Sequence, residues 1–197
     1  MHEFLDQVRD YESGIFLLAN SPHTPFLDII FLWASNRFIW IPLYVFFLWM
    51  LYRKYPKNFW MILIACALLI TVNDQLCNIV KQGVARLRPT HDTAISPFVQ
   101  IVGEYRGGKY GFFSAHAANS FAVATFVVCL CREKYRLLLP IALGYAMLVS
   151  YSRIYLGVHY PSDVLAGATV GITTGWLLAL LYKLCESRVE NAVRRCL

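Results

Sequence analysis

Charge is scarce in this chain: 15% of its 197 residues are Asp, Glu, Lys or Arg, while the AVILMFWYC set takes 58% and aromatics 15%. Together with a mean hydropathy of +0.50, this excludes an ordinary water-soluble domain, whose charged share is about 25%. Lipid is the solvent for much of the surface. Acidic residues are the rarer sign, 12 against 18 Lys and Arg, which leaves a net charge of +6. Neither a continuous basic helix nor an RNA-binding aromatic motif accompanies that excess, so nucleic acid is excluded as a partner. Membrane orientation and an anionic ligand account for it better. The six cysteines, Cys66, Cys77, Cys129, Cys131, Cys185 and Cys196, show no CxxC or Cys/His ligand spacing, and they read as buried thiols. The first twenty residues, MHEFLDQVRDYESGIFLLAN, lack a basic stretch followed by a long apolar core, and the expectation is that they are not a cleavable signal peptide.

Long apolar runs are what the chain has instead. A length of 197 residues suits one domain spanning the whole chain. Five runs approach the roughly 20 residues that a membrane span needs: about 29–52, 58–80, 112–131, 137–152 and 162–183. The first contains a single charge, Arg37, and ends at the turn Arg53-Lys54-Tyr55-Pro56-Lys57. Near the N-terminus, Phe4, Leu5, Val8, Tyr11, Ile15 and Leu18 recur at helical spacing. That spacing fits a helix lying on the membrane or packing against the bundle, and both readings stand. The expected fold is therefore all-α: a polytopic membrane helical bundle of about five transmembrane helices plus an N-terminal amphipathic helix.

Loops that alternate between two sides allow the positive-inside rule to be tested. One side receives Arg53, Lys54 and Lys57, then Arg132, Lys134 and Arg136, then Lys183, Arg188, Arg194 and Arg195. This side is assigned to the cytoplasm, with the C-terminus, and the membrane to the cell's inner (plasma) membrane. The outer, or periplasmic, side receives the N-terminal segment and the loops at about 81–113 and 153–161. Those loops still carry Lys81, Arg86, Arg88, Arg106, Lys109 and Arg153, which the rule disfavours there. A functional reason is expected.

Three clusters fall on that face. In Lys81-Gln-Gly-Val-Ala-Arg86-Leu-Arg88-Pro89 the second run leaves the membrane, and Lys81 shares a helical stripe with Asp74 and Asn78. Snorkelling cations explain this cluster alone. Phe113-Ser114-Ala115-His116 opens the third run after Gly107-Gly108. A helix start offers unpaired N–H groups and a positive dipole end, hence an anion site, although Ser114 alone is also a good N-cap. The third cluster, Ser152-Arg153 through His159 to Pro161 and Asp163, joins the last two runs. Pro161 suits the first helical position, and Asp163 in the first turn comes within reach of His159. Such a carboxylate fixes the imidazole tautomer and leaves the other nitrogen free to attack; a structural Asp at a helix start is the plainer alternative.

Combined, the clusters assemble what phosphoryl transfer requires: fixed positive charge, backbone donors at a helix start, and two histidines for nucleophile and proton donor. The outer loops offer only Asp92, Glu104 and Asp163 as carboxylates, with no pattern of a two-metal site. In these residues the sequence resembles the type 2 phosphatidic acid phosphatase superfamily of membrane lipid phosphatases, whose signature is Lys-x6-Arg-Pro, Pro-Ser-Gly-His and Ser-Arg-x5-His-x3-Asp. Lys81 to Arg88-Pro89 matches the first part, and Ser152-Arg153 to His159 to Asp163 matches the third. The second departs, with Phe113 in place of proline and Ala115 in place of glycine; alanine keeps the backbone donor but alters clearance around a phosphate.

The resemblance covers about residues 60–183. It implies that His159 attacks phosphorus to form a phosphohistidine, Asp163 orients it, and His116 protonates the leaving oxygen. Lys81, Arg88, Ser114 and Arg153, with the Ala115 N–H, hold the phosphate, and no metal or cofactor is implied. Arg86, Arg106 and Lys109 lie outside the motifs and read either as solvated loop charge or as substrate-selecting residues. The implied partners are the bilayer and a lipid phosphate, with undecaprenyl pyrophosphate first and phosphatidylglycerophosphate, phosphatidic acid or lipid A phosphates as alternatives. Vanadium haloperoxidases share the pocket pattern but are larger and soluble. A transporter or regulatory protein with a relic phosphate site is the non-enzyme reading, and both histidines and Asp163 argue against it. Nothing in the sequence speaks to oligomeric state.

Overall fold

Apolar runs separated by polar or proline-bearing turns become helices in the computed structural model, which describes the backbone of residues 2–196 and the side chains of residue 7 and residues 9–188. In chain order these are α1 (His2–Asn20), α2 (Pro25–Ser35), α3 (Ile41–Lys54), α4 (Phe59–Val84), α5 (Ala115–Cys131), α6 (Leu138–Tyr155) and α7 (Pro161–Cys196). The described residues contain no strand, and the one isolated β-bridge, Leu87 with Tyr110, pins the ends of the long loop between α4 and α5. The side chains of Phe4, Leu5, Val8, Arg194, Arg195 and Cys196 fall outside the described residues.

The all-α expectation holds, and the apolar runs do not map one to one onto single long helices. Helices α4, α6 and α7 are long and apolar enough to cross a membrane, and α1 and α2, bent by 112° against each other, count as a fourth candidate if taken as one broken span. The run at 29–52 is not continuous. Asn36 ends α2, its side chain accepts from the Phe38 N–H at 3.0 Å, and a short 3-10 turn at Arg37–Trp40 intervenes before α3. Asn favours such local capping over helix propagation, and Pro42 sits in the first turn of α3, where its missing N–H does no harm. The run at 112–131 yields only the 17 residues of α5, about 26 Å of helix.

Helix α5 is enclosed by its neighbours. Alanines at 115, 117, 118, 122 and 124 let neighbouring backbones approach, and α3, α4, α6 and α7 all pack against it. A helix apolar on all sides belongs at the centre of a bundle. The outer helices turn Trp60, Leu63, Ile79, Met147, Leu165 and Trp176 outward, as lipid requires. Lys54 Nζ donates to the Leu130 carbonyl and Tyr55 packs edge-on to Tyr182 at 5.3 Å, which gathers the cation-rich turns and the end of α7 at one end of the bundle. The long α4–α5 loop and the α6–α7 turn lie at the other.

Candidate active site

Three glycines one turn apart place the site. Gly167, Gly171 and Gly175 of α7 lie so close to the backbone of Ser114, Ala118 and Ala122 on α5 that a methyl group at any of them would strike a carbonyl oxygen. This small-residue ridge is how helices in lipid approach without hydrophobic drive. It sets the first turn of α7 beside the start of α5, where the Ser114 N–H donates to the Asp163 carbonyl at 2.9 Å. Ser114 caps α5 through Ala117 N–H, as its position suggested. Among the described residues no group accepts from the N–H of Ala115 or His116, the two donors left at the helix start.

His159 hangs on the turn between α6 and α7. Gly157 there has φ +75°, and a side chain would collide with Val99 and Gln100, so the loop needs glycine. The Arg153 carbonyl accepts from the N–H groups of both Val158 and His159. The imidazole is buried, with Nδ1 3.4 Å from Asp163 Oδ2, and the same oxygen accepts from the Tyr160 N–H at 3.0 Å. Burial, then the charges of Arg88, Arg153 and Lys81, hold His159 well below the ordinary imidazole value of 6.5, and the Gly111 backbone pulls weakly the other way. The ring is neutral, as a nucleophile must be.

The cations meet above this ring without carboxylate partners. Arg88 is 8% exposed and Arg153 1%, yet among the described residues neither makes an ion pair. Arg88 Nε donates to the Tyr110 carbonyl at 3.1 Å and one terminal nitrogen to the Val158 carbonyl at 3.4 Å, while Gly107, at φ +67°, lets the guanidinium lie against its backbone. Arg153 donates to the Ser35 hydroxyl and, at 3.2 Å, to the Tyr105 hydroxyl, and its Nε is buried without a partner. Burial pushes the Tyr105 phenol up, but Arg153 and Arg88 outweigh it and leave it below its ordinary value. Burial likewise lowers Arg88, helped by Arg153. Burying two guanidinium groups without a paired carboxylate costs several kcal/mol each, and an anion held between them offsets that cost. Phosphate chemistry matches the fork geometry.

His116 faces the same cations and His159 from the first turn of α5. Beside it opens a cleft of about 470 Å³ bounded by Ala115, His116, Asp74, Asn119 and Ser120 and, further in, by side chains such as Phe47, Leu51, Val123 and Val127. Asn119 donates to Asp74 at 2.8 Å, and its own carbonyl oxygen is buried without a partner. Asp74 therefore pairs across to α5, a role that its stripe with Lys81 did not foretell.

A family model described as the PAP2 superfamily matches residues 59–186. The chain belongs to the PAP2 superfamily. A lipid A 4'-phosphatase of Bacteroides thetaiotaomicron is 39% identical, the match covering 97% of this chain and 84% of that protein. One of Porphyromonas gingivalis is 33% identical over 93% and 78%, and an undecaprenyl-diphosphatase of Sulfolobus acidocaldarius 30% identical over 90% and 77%. Among solved structures, Aquifex aeolicus LpxE superposes with a TM-score of 0.65 at 28% identity, covering 86% of this chain and 94% of that one. A transmembrane PAP2-type phosphatidylglycerolphosphate phosphatase from Bacillus subtilis shares the fold, at a TM-score of 0.69 and 20% identity over 90% and 86%. This chain is a PAP2 membrane phosphatase of lipid phosphates.

Within this PAP2 site the unusual second motif has a physical account. Phe113 is buried against Cys77 and Ala118, and its carbonyl accepts from the Cys77 thiol at 3.2 Å, so the ring anchors the loop to α4. The Ala115 methyl forms part of the cleft wall and narrows it where glycine would leave room. Arg106 and Lys109 remain exposed. Arg86 is only partly exposed and does not line that cleft: it ion-pairs with Asp163 at 2.9 Å and with Glu12 at 2.6 Å. Tyr105, Ser35, Asn119 and Glu12 were not singled out in the sequence. Only Arg86, two residues before Arg88, carried a signal.

Proposed function

We propose that this PAP2 phosphatase removes a phosphate from a lipid A-type acylated sugar, the 4'-phosphate by likeness to its relatives, through a phosphohistidine on His159. The observation that carries the substrate is the cleft at His116, polar where Asp74, Asn119 and Ser120 bound it and apolar deeper in. An acylated sugar uses both parts: hydroxyl or amide groups at the polar mouth, hydrocarbon beyond. A polyprenyl diphosphate leaves the Asp74–Asn119 pair without a partner. Undecaprenyl pyrophosphate, the first expectation from sequence, has no residue that reads its chain and is set second.

The geometry supports these roles. Asp163 engages Nδ1, so Nε2 of His159 attacks phosphorus in line with the ester oxygen; the N–P bond forms as the P–O bond breaks, and His116 gives its proton to the departing oxygen. Lys81, Arg88, Arg153, the Ser114 hydroxyl and the Ala115 N–H hold the equatorial oxygens. Water then gives a proton to His116 and breaks the N–P bond, releasing phosphate. The site lies at the end opposite the cation-rich turns, which supports a plasma-membrane protein with its site facing outward and its C-terminus in the cytoplasm. A single cysteine at position 106, but not 133, then reacts with an impermeant maleimide on spheroplasts; the reverse pattern sinks the orientation.

Phosphate release from purified protein in detergent with chelator present tests the substrate. Lipid A is expected to give the highest kcat/KM against undecaprenyl diphosphate, phosphatidylglycerophosphate and phosphatidic acid. A preference for undecaprenyl diphosphate would overturn the substrate, and strict need for added divalent metal would overturn the mechanism.

A further inference from the structure

Asp163 is completely buried, and its two oxygens serve different masters. Oδ2 faces His159 and the Tyr160 N–H. Oδ1 accepts from Arg86 at 2.9 Å, and the same guanidinium nitrogen donates to the Ser162 hydroxyl at 2.7 Å. The other terminal nitrogen of Arg86 reaches Glu12 Oε2 at 2.6 Å, and Glu12 Oε1 accepts from the Ser162 N–H at 3.0 Å. The guanidinium plane rests 4.2 Å from the centroid of the Tyr160 ring. Tyr160 in turn donates to Asp92 at 3.1 Å, which also pairs with Arg9 of α1 at 3.0 Å. Arg86 is thus held on one face by an aromatic ring and at its far edge by a carboxylate from α1.

We infer that Arg86 is a positioning residue for the phosphatase reaction, locking the Asp163 carboxylate against His159, and that Glu12 makes α1 part of the catalytic apparatus by holding Arg86 in place. This rests on the reading of His159 as nucleophile. A carboxylate held at Oδ1 by Arg86 and at Oδ2 by the Tyr160 N–H cannot rotate away from the imidazole, and a fully buried one needs a counter-charge. Neither Arg88 nor Arg153 supplies it through an ion pair; Arg86 does. The planar fork reaches Asp163, Ser162 and Glu12 simultaneously, which the point charge of lysine cannot do. Of the two readings left open for the N-terminal helix, packing against the bundle is the one that this network uses: α1 braces the site from the outer end, against α6 and α7.

Steady-state kinetics and thermal unfolding of the full-length protein in detergent test this. Arg86→Ala is expected to lose about 10²-fold in kcat, the scale of a small misplacement of reacting groups, with KM nearly unchanged. Added guanidinium chloride, but not sodium chloride, restores at least tenfold of that loss. Arg86→Lys recovers only part of the activity. Glu12→Gln, which keeps the acceptor for Ser162 but not the charge, loses about tenfold, and the double variant is no worse than Arg86→Ala alone. Arg132→Gln, at the exposed opposite end, behaves as wild type. Wild-type kcat in Arg86→Ala, or a loss that guanidinium does not relieve and that follows a fallen Tm, overturns the inference; multiplicative losses in the double variant overturn the route through Glu12. If His159→Ala retains turnover, the underlying reading fails instead.

Discussion

The ridge of α7 glycines ties stability to catalysis, and Gly171→Ala measures the link. A methyl group there meets the carbonyl oxygen and carbon of Ala118 and the nitrogen of Ala122, all backbone, so no side chain can move aside and the helices must separate. Overpacking of this kind costs about 1–3 kcal/mol, and rigid backbone puts it near the top of that range. Alanine recovers about 1 kcal/mol through helix propensity, leaving a net loss of about 2 kcal/mol. At roughly 2–4 °C per kcal/mol for a chain of this size, Tm falls by about 4–8 °C. Separation also moves the Asp163 carbonyl from Ser114 N–H, and a shift on the order of 1 Å in the reacting groups costs about 10²-fold in kcat. Gly144 of α6 has nothing within 4 Å of a would-be methyl, so Gly144→Ala is the control: Tm rises by a few degrees and kcat is unchanged. Both variants are compared in one detergent by thermal unfolding and phosphate release. Wild-type Tm and kcat in Gly171→Ala would refute the helix-contact reasoning.

Other consequences follow from the same geometry. His116→Ala is expected to lose about 10²–10⁴-fold in the rate of leaving-group release from a lipid sugar phosphate but far less in the pre-steady-state release of p-nitrophenol from p-nitrophenyl phosphate, whose leaving group needs no proton; equal losses in this first step count against an acid role. Because His159 is held below 6.5 in the fold, the unfolded chain binds a proton that the folded one does not as pH drops under 6.5, so stability is lost towards acid. Wild-type Tm should therefore fall more steeply from pH 7 to pH 5 than that of His159→Asn, and parallel curves would contradict the burial argument. Vanadate, a mimic of pentacoordinate phosphorus, is expected to compete with substrate in chelator-treated enzyme, and noncompetitive inhibition would place it elsewhere.

Local chemistry was legible where it depends on residue type and spacing. Pro161 opens α7 and Ser114 caps α5 as read, and the i, i+4 spacing of His159 and Asp163 delivers the contact between them. What sequence spacing could not convey is packing between distant segments. Arg37 read as the single charge inside one span, yet Asn36 beside it caps a helix end and splits the run. Arg86 read either as loop charge or as a substrate-selecting residue because its partners, Glu12 and Asp163, lie 74 and 77 residues away. The same holds for Asp74, whose stripe with Lys81 was visible but whose bond crosses to Asn119. The Gly167-Gly171-Gly175 spacing was present throughout, and only the neighbouring backbone of α5 shows why it matters.

The central claim is that His159 carries the phosphoryl group. Phosphohistidine survives alkali, so quenching the enzyme in base during turnover of a labelled lipid phosphate and mapping the modified peptide by mass spectrometry tests it directly. The account expects one phosphoryl group on His159, accumulating in His116→Ala supplied with p-nitrophenyl phosphate, whose departure needs no acid while hydrolysis of the intermediate is slowed. Turnover with His159 unmodified and the label on His116, or on another side chain, would contradict it.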